Sequence, residues 1–254
     1  MGHRVIKMKD DKQNLWAGLT KDAQKLLTTR NYNEGALAQR LSRSGIEAGQ
    51  LAAADRADPK TRAAWIPGVE LFARTIHAQR YRGIFGEFAR RDEGLLAQIG
   101  LWPVQWATAR MFANTAKGFH IHPPSIPSGQ EAAAWLQKLF AEGQRNYSDR
   151  LYEREQWDVI FFVQGRVEMI LRDARAGLPP RTMRFFVDGD NHRSNNNVGV
   201  VVPPGVAHAI RAEGSEEVIM VYGTSTAFHP EFEGRIASEI ETAPLPESWA
   251  AFLE

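Results

Sequence analysis

A chain of 254 residues with no cysteine is long enough to bury a full core, and it excludes disulfides, thiol nucleophiles and thiolate metal sites. Its 31 basic and 30 acidic residues nearly cancel, and no Lys/Arg block stands out, which speaks against a nucleic-acid partner. No apolar run approaches the roughly 20 residues a membrane helix needs. The N-terminus also lacks an apolar signal core, so a cytoplasmic protein without a membrane partner is expected.

Residues 14 to 55 read as helices. Thr20 suits the cap of a helix over Lys21 to Thr29, with Ala23, Leu26 and Leu27 on one face. A second helical pattern runs from Ala36 to Leu41 and ends near Ser44-Gly45. The polar run Ala52 to Pro59 reads as a hinge. This helical N-terminal extension, residues 1–64, carries no chemistry of its own and reads as packing or oligomer surface.

From Trp65 the texture changes. Val69–Arg74, Ile84–Phe88, Val104–Met111 and residues 118–122 are short strand-like runs. Ser128-Gly-Gln-Glu131 spells a capping box that opens an amphipathic helix over 128–143, with Trp135, Leu136 and Leu139 on its apolar face. That helix interrupts a β-rich region and reads either as a lid or as a packing helix. Val159–Val163, Arg166–Leu171, Met183–Val187, Val198–Val202 and Glu217–Tyr222 continue the strand pattern, separated by Gly, Pro and Asn turns. A tail over 237–254 follows, with a short helix expected from Ser248. Many short strands between turn residues predict a mainly β sandwich or small barrel over 65–236, a class that includes the cupin jelly roll.

Chemistry concentrates in Lys117-Gly-Phe-His120-Ile-His122. Strand alternation points His120 and His122 to one face. Two imidazoles there are costly to bury unless they are hydrogen-bonded or used. His77, His192 and His229 lie off any motif and read as surface.

From about Val69 to Ile236 the chain resembles the cupin-fold dTDP-4-dehydrorhamnose 3,5-epimerases. Lys117-Gly-Phe-His120 is similar to that family's Arg-Gly-Leu-His, with Lys for Arg. Arg82-Gly-Ile-Phe85-Gly-Glu87 resembles its Arg-Gly-x-Phe-x-Glu, and Gln105 stands fifteen residues before His120, as the family glutamine does. Gly165-Arg-Val with Asp173-Ala-Arg175, and Val202-Pro-Pro-Gly205-Val-Ala-His208, match two further signatures. Tyr222 falls on the family tyrosine, and Phe228 falls where a second tyrosine usually sits.

The resemblance implies a double-stranded β-helix, a homodimer, no required cofactor, and epimerisation of a 4-keto sugar, nucleotide-linked. His120 would be the base that removes the proton next to the ketone, and Tyr222 the proton donor on the other face. Phe228 would stack on the sugar; Arg82, Glu87, Gln105, Lys117, His208 and Glu233 would line the site. Residue chemistry suits these roles. An imidazole takes protons near neutral pH, a tyrosine hydroxyl returns one, and a positive or hydrogen-bonding group must meet the developing oxyanion.

Three departures stand out. The family glutamine two after the base is His122, the lysine seven before Gly165 is Asp158, and the C-terminal Trp-x-Asp-Pro is replaced by Ile236–Pro246. The first two changes resemble metal-binding cupins, which use His-x-His, a carboxylate before a glycine, and Pro-x-Gly-x-x-His. His120, His122, Asp158 and His208 would then hold Zn, Fe, Mn, Co or Ni. The carboxylate is Asp where Glu is usual, and its distance from His122 is long. A metal-bound His120 is no base, so the two readings compete for one residue. A metal-dependent isomerase or dioxygenase, or a cupin that binds sugar without turnover, are the alternatives to the epimerase.

Overall fold

The computed structural model describes residues 15–28, 45–124, 134 and 156–236. The helices expected at 36–41 and from 248 lie outside the described residues, as does that at 128–143 except for residue 134. The helices seen are short: α1 (Lys21–Leu26), α2 (Ala48–Ala52), α3 (Pro59–Ala64) and α4 (Gly94–Gln98). In chain order the strands begin with β1 (Leu27–Thr28), β2 (Ile46–Glu47), β3 (Glu70–Ala73), β4 (Ile76–Ala78), β5 (Ile84–Gly86), β6 (Gln105–Met111) and β7 (Ala116–Ile121). They continue as β8 (Asp158–Gln164), β9 (Arg166–Asp173), β10 (Thr182–Asp188), β11 (Val198–Val202), β12 (Val206–Glu213), β13 (Val218–Thr224) and β14 (Gly234–Ile236).

Twelve of these strands form two sheets. One has seven strands in the order β1-β14-β7-β12-β9-β10-β2, the other five in the order β3-β11-β8-β13-β6. β4 and β5 make a separate hairpin. All pairings are antiparallel except β2 with β10. The architecture is a mainly β, cupin-type jelly roll, with sheets that face one another without closing into a barrel.

Period-two side-chain alternation assigns the faces. Val167, Met169 and Leu171 of β9, Val206, Ile210 and Ala212 of β12, and Ile160 and Phe162 of β8 meet between the sheets. The opposite faces are also apolar. Phe161 and Val159 of β8 pack outward under Leu96, Ile99 and Leu101. Ile170, Ala207, Ala209, Phe119 and Ile121 pack outward under Leu19 and Ala23. Two-sided burial explains why several strands read as unbroken apolar runs rather than as alternations.

The N-terminal extension differs from its sequence reading. Thr20 caps α1, accepting from the Ala23 N–H at 3.3 Å, but the helix stops at Leu26. Leu27 turns to an extended backbone (φ −71°, ψ 131°) and pairs with Ile236 in β1. Tertiary pairing overrides the helical pattern there. Among its described residues the extension therefore holds helices and two sheet strands. The run read as a hinge is a capped turn: α2 ends at Ala52, and Asp58 caps α3 by accepting from the Thr61 N–H at 2.8 Å. Among the described residues no helix is long and apolar enough to cross a membrane.

Candidate active site

At one end of the space between the sheets the apolar core gives way to a cavity of about 270 Å³. The seven-stranded sheet contributes Lys117 and His120 from β7, with His122 just beyond it, and His208 from β12. Facing them, the five-stranded sheet contributes Asp158 from β8 and Tyr222 from β13. Phe228 and Glu233 come from the segment leading into β14.

Lys117 reaches this cavity only because β7 is irregular. β7 and β12 pair His120 with His208 but Lys117 with Ile210, so β7 carries one extra residue over that span. Such a β-bulge re-aims side chains. Regular alternation would put Lys117 and His120 on opposite faces. With the bulge, Lys117, His120 and His122 line the cavity while Ala116, Phe119 and Ile121 pack outward. Gly118 sits in the bulge at φ +126°, and a Cβ there would lie 2.6 Å from both the Ala209 Cα and the His208 carbonyl oxygen. Gly118→Ala should therefore cost at least about 2 kcal/mol through backbone strain and overpacking. A melting curve would show a fall in Tm of roughly 4–8 °C or more; an unchanged Tm would mean that the bulge relaxes freely.

His122, Asp158 and His208 converge, with one donor atom from each lying within 4.8 Å of the others. His122 Nε2 is 3.2 Å from Asp158 Oδ2, and His208 Nε2 is 3.6 Å from the same oxygen. Both rings face backbone carbonyls through Nδ1, His122 at 2.9 Å from Phe232 O and His208 at 3.4 Å from Val206 O. A carbonyl only accepts, so each Nδ1 carries a hydrogen in these contacts. Gln156 closes the cluster, its amide nitrogen donating to Asp158 Oδ1 at 3.2 Å and lying 3.3 Å from His122 Nε2.

Burial opposes charge on the His122 ring, but Asp158, together with Glu233 and the Phe232 carbonyl, outweighs it and pushes the ring up to about 9. Burial likewise opposes ionisation of Asp158, yet His122 chiefly, then His208 and Gln156, bring it down to about 2. Burial takes His208 the other way, to about 4; Asp158 favours its charged form, but His120 and His122 add to the lowering. His208 is therefore neutral at pH 7, and only His122 forms a true ion pair with Asp158. Tyr222 is raised, first by burial and then by Asp158 and Glu233, so its hydroxyl stays protonated.

Of the residues expected to build the site, His120, Tyr222, Lys117, His208, Phe228 and Glu233 all line this cavity. Gln105 acts one step back: its Oε1 accepts from the Phe228 N–H at 2.8 Å. Arg82 and Glu87 lie apart from the cavity of their own chain. Arg82 is exposed in the β4–β5 turn, and Glu87 pairs with Arg90 at 3.1 Å on that outer region. The hairpin pairs with neither large sheet, so within one chain it brings neither residue to the cavity. Three of the four residues in the expected metal set converge. His122, Asp158 and His208 form the cluster, and His120 stands outside it. Gln156 and Arg235, which also line the cavity, were missed. Each lies two residues from an expected site residue, Asp158 and Glu233, and extended backbone puts such neighbours on one face.

A cupin jelly roll with imidazoles on one wall and a carboxylate and tyrosine on the other is a fold with an acid–base pocket. The chain is 25% identical over 165 residues to the spore coat polysaccharide biosynthesis protein SpsL of Bacillus subtilis (strain 168), covering 63% of this chain and 83% of that one. No family model matches it. Among solved structures it is similar to RmlC, a dTDP-6-deoxy-D-glucose-3,5-epimerase from Legionella pneumophila in complex with dTDP-4-keto-L-rhamnose (18% identity, TM-score 0.48, 72% of this chain and 81% of that one). It is also similar to ChmJ, a 3'-monoepimerase from Streptomyces bikiniensis (20% identity, TM-score 0.45, 65% and 68%). A third is the dTDP-4-dehydrorhamnose 3,5-epimerase of Sulfolobus tokodaii (17% identity, TM-score 0.47, 71% and 83%).

Proposed function

We propose that the protein is an epimerase of a 4-keto sugar, nucleotide-linked, working by proton abstraction next to the ketone. The observation that carries this reading is that His120 and Tyr222 enter one cavity from opposite sheets. Inverting a carbon needs a base on one face and an acid on the other, and a ring held between the sheets meets both. His120 takes the α-proton, and the electron pair delocalises onto the ketone oxygen as an enolate. Tyr222, kept protonated by burial, returns a proton from the far side. Lys117, brought beside His120 by the bulge, is the cation on this wall that can meet the enolate oxygen. The motif resemblance and the curated relative's name, polysaccharide biosynthesis, support sugar chemistry. The cavity is at the small end of ligand pockets and suits a sugar ring. A nucleotide would run out past Phe228, which is 62% exposed.

The cluster geometry favours a second element, a divalent metal on His122, Asp158 and His208. Metal–ligand bonds of about 2.0–2.1 Å in a tetrahedral site place donors about 3.3 Å apart, and the two spacings to Asp158 Oδ2 are 3.2 and 3.6 Å. Both histidines turn Nδ1 to a carbonyl and offer Nε2 to the centre, the arrangement in which a backbone acceptor fixes a metal-binding tautomer. When bound, such an ion supplies Lewis-acid polarisation of a carbonyl. With the metal on these three residues, His120 would be left to act as the base.

The test is incubation of purified protein with a dTDP-linked 4-keto-6-deoxyhexose in deuterium oxide, with elemental analysis of the same preparation. Deuterium entering next to the ketone supports the epimerase. Tight binding without deuterium uptake would identify a sugar-binding cupin. Neither binding nor uptake, with stoichiometric metal, would redirect the reading to a metal-dependent cupin with another substrate.

The protein is further proposed to act as a cytoplasmic homodimer. β3 lies at the edge of the five-stranded sheet, and the β4–β5 hairpin exposes Tyr81, Ile84 and Phe85. Exposed apolar groups on a hairpin and an open edge suit an isologous contact. Light scattering at micromolar concentration should report a dimer, and Phe85→Asp should shift it to monomer. A monomeric wild-type protein would end the idea.

A further inference from the structure

The N-terminal segment looks remote from the chemistry in sequence, yet it abuts the strand that carries the base. β7 presents His120 to the cavity and Phe119 and Ile121 to the outer cluster, where Leu19, Ala23, Trp16 and Leu27 cover them. The segment is held at both ends of its path. Thr20 N–H donates to Ala174 O at 2.8 Å and Ala176 N–H to Gly18 O at 2.7 Å, and β1 pairs with β14.

β14 is the link to the site. It is a three-residue strand, joined to β7 through Gly234–Ile121 and Arg235–His120 and flanked on its other side by β1. Thr28, Arg235, His120 and His208 thus lie in one row across four strands. The chain entering β14 supplies Glu233 to the cavity and the Phe232 carbonyl that faces His122 Nδ1. The contact between segment and strand is close. A Cβ on Gly234 would lie 2.6 Å from Trp16 Cη2 and 2.8 Å from Leu27 Cδ1. So short a strand has little pairing of its own, and β1 with its two side chains completes its seat.

We infer that residues 15–28 are a positioning element of the active site, in which Trp16 and Leu27 clamp β14 through Gly234 and so hold the Phe232 carbonyl on His122 and Glu233 at the cavity. Neither residue touches the reacting atoms; both act through β14. The kinetic part of this inference rests on the epimerase reading, whereas the His122 contact does not.

The test uses full-length Trp16→Ala, Leu27→Ala and Leu27→Met, with Leu51→Ala as a control that loosens packing of α2 against the core between the sheets. In the alanine variants at 16 and 27, kcat for deuterium uptake should fall about 10–100-fold with little change in KM, because misplacing a group by about 1 Å costs up to about 10²-fold. Leu27→Met should keep wild-type kcat. In ¹⁵N-histidine spectra recorded without substrate, the Nδ1–H signal of His122 should shift or broaden in the two alanine variants and not in Leu51→Ala. If both readouts match the Leu51→Ala control, the segment is packing alone and the inference is wrong. If the wild type takes up no deuterium, the proposed reaction fails, and the His122 signal alone decides the positioning role: a shift confined to the two alanine variants upholds it, and no shift overturns it.

Discussion

His120→Asn is expected to lower deuterium uptake next to the ketone by about 10³-fold, within the range that a general base contributes, while the protein keeps its fold. The imidazole faces the cavity, and the outward side chains that hold β7 in place, Phe119 and Ile121, are untouched. Tm should therefore move little, whereas truncating wholly buried Phe119 would cost about 3–5 kcal/mol. Tyr222→Phe gives the complementary result. His120 can still remove a proton and return solvent deuterium to the same face, so uptake should persist while the inverted product is lost. The two variants separate the roles because the residues stand on different sheets. Full epimerisation by His120→Asn would sink the reaction as written, and loss of uptake in Tyr222→Phe would mean that Tyr222 is needed before the acid step.

The long strands were legible in the sequence because their signal is strong. β8, β9, β12 and β13 each run seven or eight residues, with branched and aromatic side chains between glycine or proline turns. β1, β2 and β14 were not, since two or three residues carry no periodicity. β14 matters most among these, because it carries Arg235 to the cavity beside His120. Lys117 shows a different limit. Motif resemblance put it in the site, but strand alternation alone would have sent it to the other face, and only the bulge reconciles the two. The motif from Arg82 to Glu87 shows another limit: it runs over and just past a hairpin that pairs with neither large sheet of its own chain, and motif order does not report that placement. The divergence at His122 and Asp158 was legible as a paired change, because both resemble the metal-cupin pattern; what no local pattern reports is the 3.2 Å contact between these positions thirty-six residues apart.

Asp158→Asn should lower metal content and deuterium uptake together, and it should destabilise the protein. Where the resembled epimerases carry a lysine, this chain buries a carboxylate between His122 and His208. In the metal-free protein the carboxylate and His122 form an ion pair with no net charge. The His122 ring has both nitrogens engaged, one on Asp158 and one on the Phe232 carbonyl, so it has no N–H left for an enolate. The positive field of the family lysine is therefore not replaced by His122. A divalent ion held by His122, Asp158 and His208 would restore it, with His122 neutral, since such ions are often the largest local charge in a site. Asparagine offers a neutral, weaker ligand, and it removes the counter-charge that holds the buried His122 ring protonated, so the ring turns neutral and the ion pair's contribution is lost. Asp158→Lys should eject the metal outright by placing an ammonium against the two imidazoles. The decisive measurement is metal stoichiometry and deuterium uptake on the same preparations of wild type, Asp158→Asn and Asp158→Lys. Uptake that falls with metal content across the three makes the cluster part of the machinery. Full uptake in metal-free wild-type protein would return the reaction to Lys117 as the cation facing the enolate, with His122 and Asp158 reduced to a buried pair that shapes the wall.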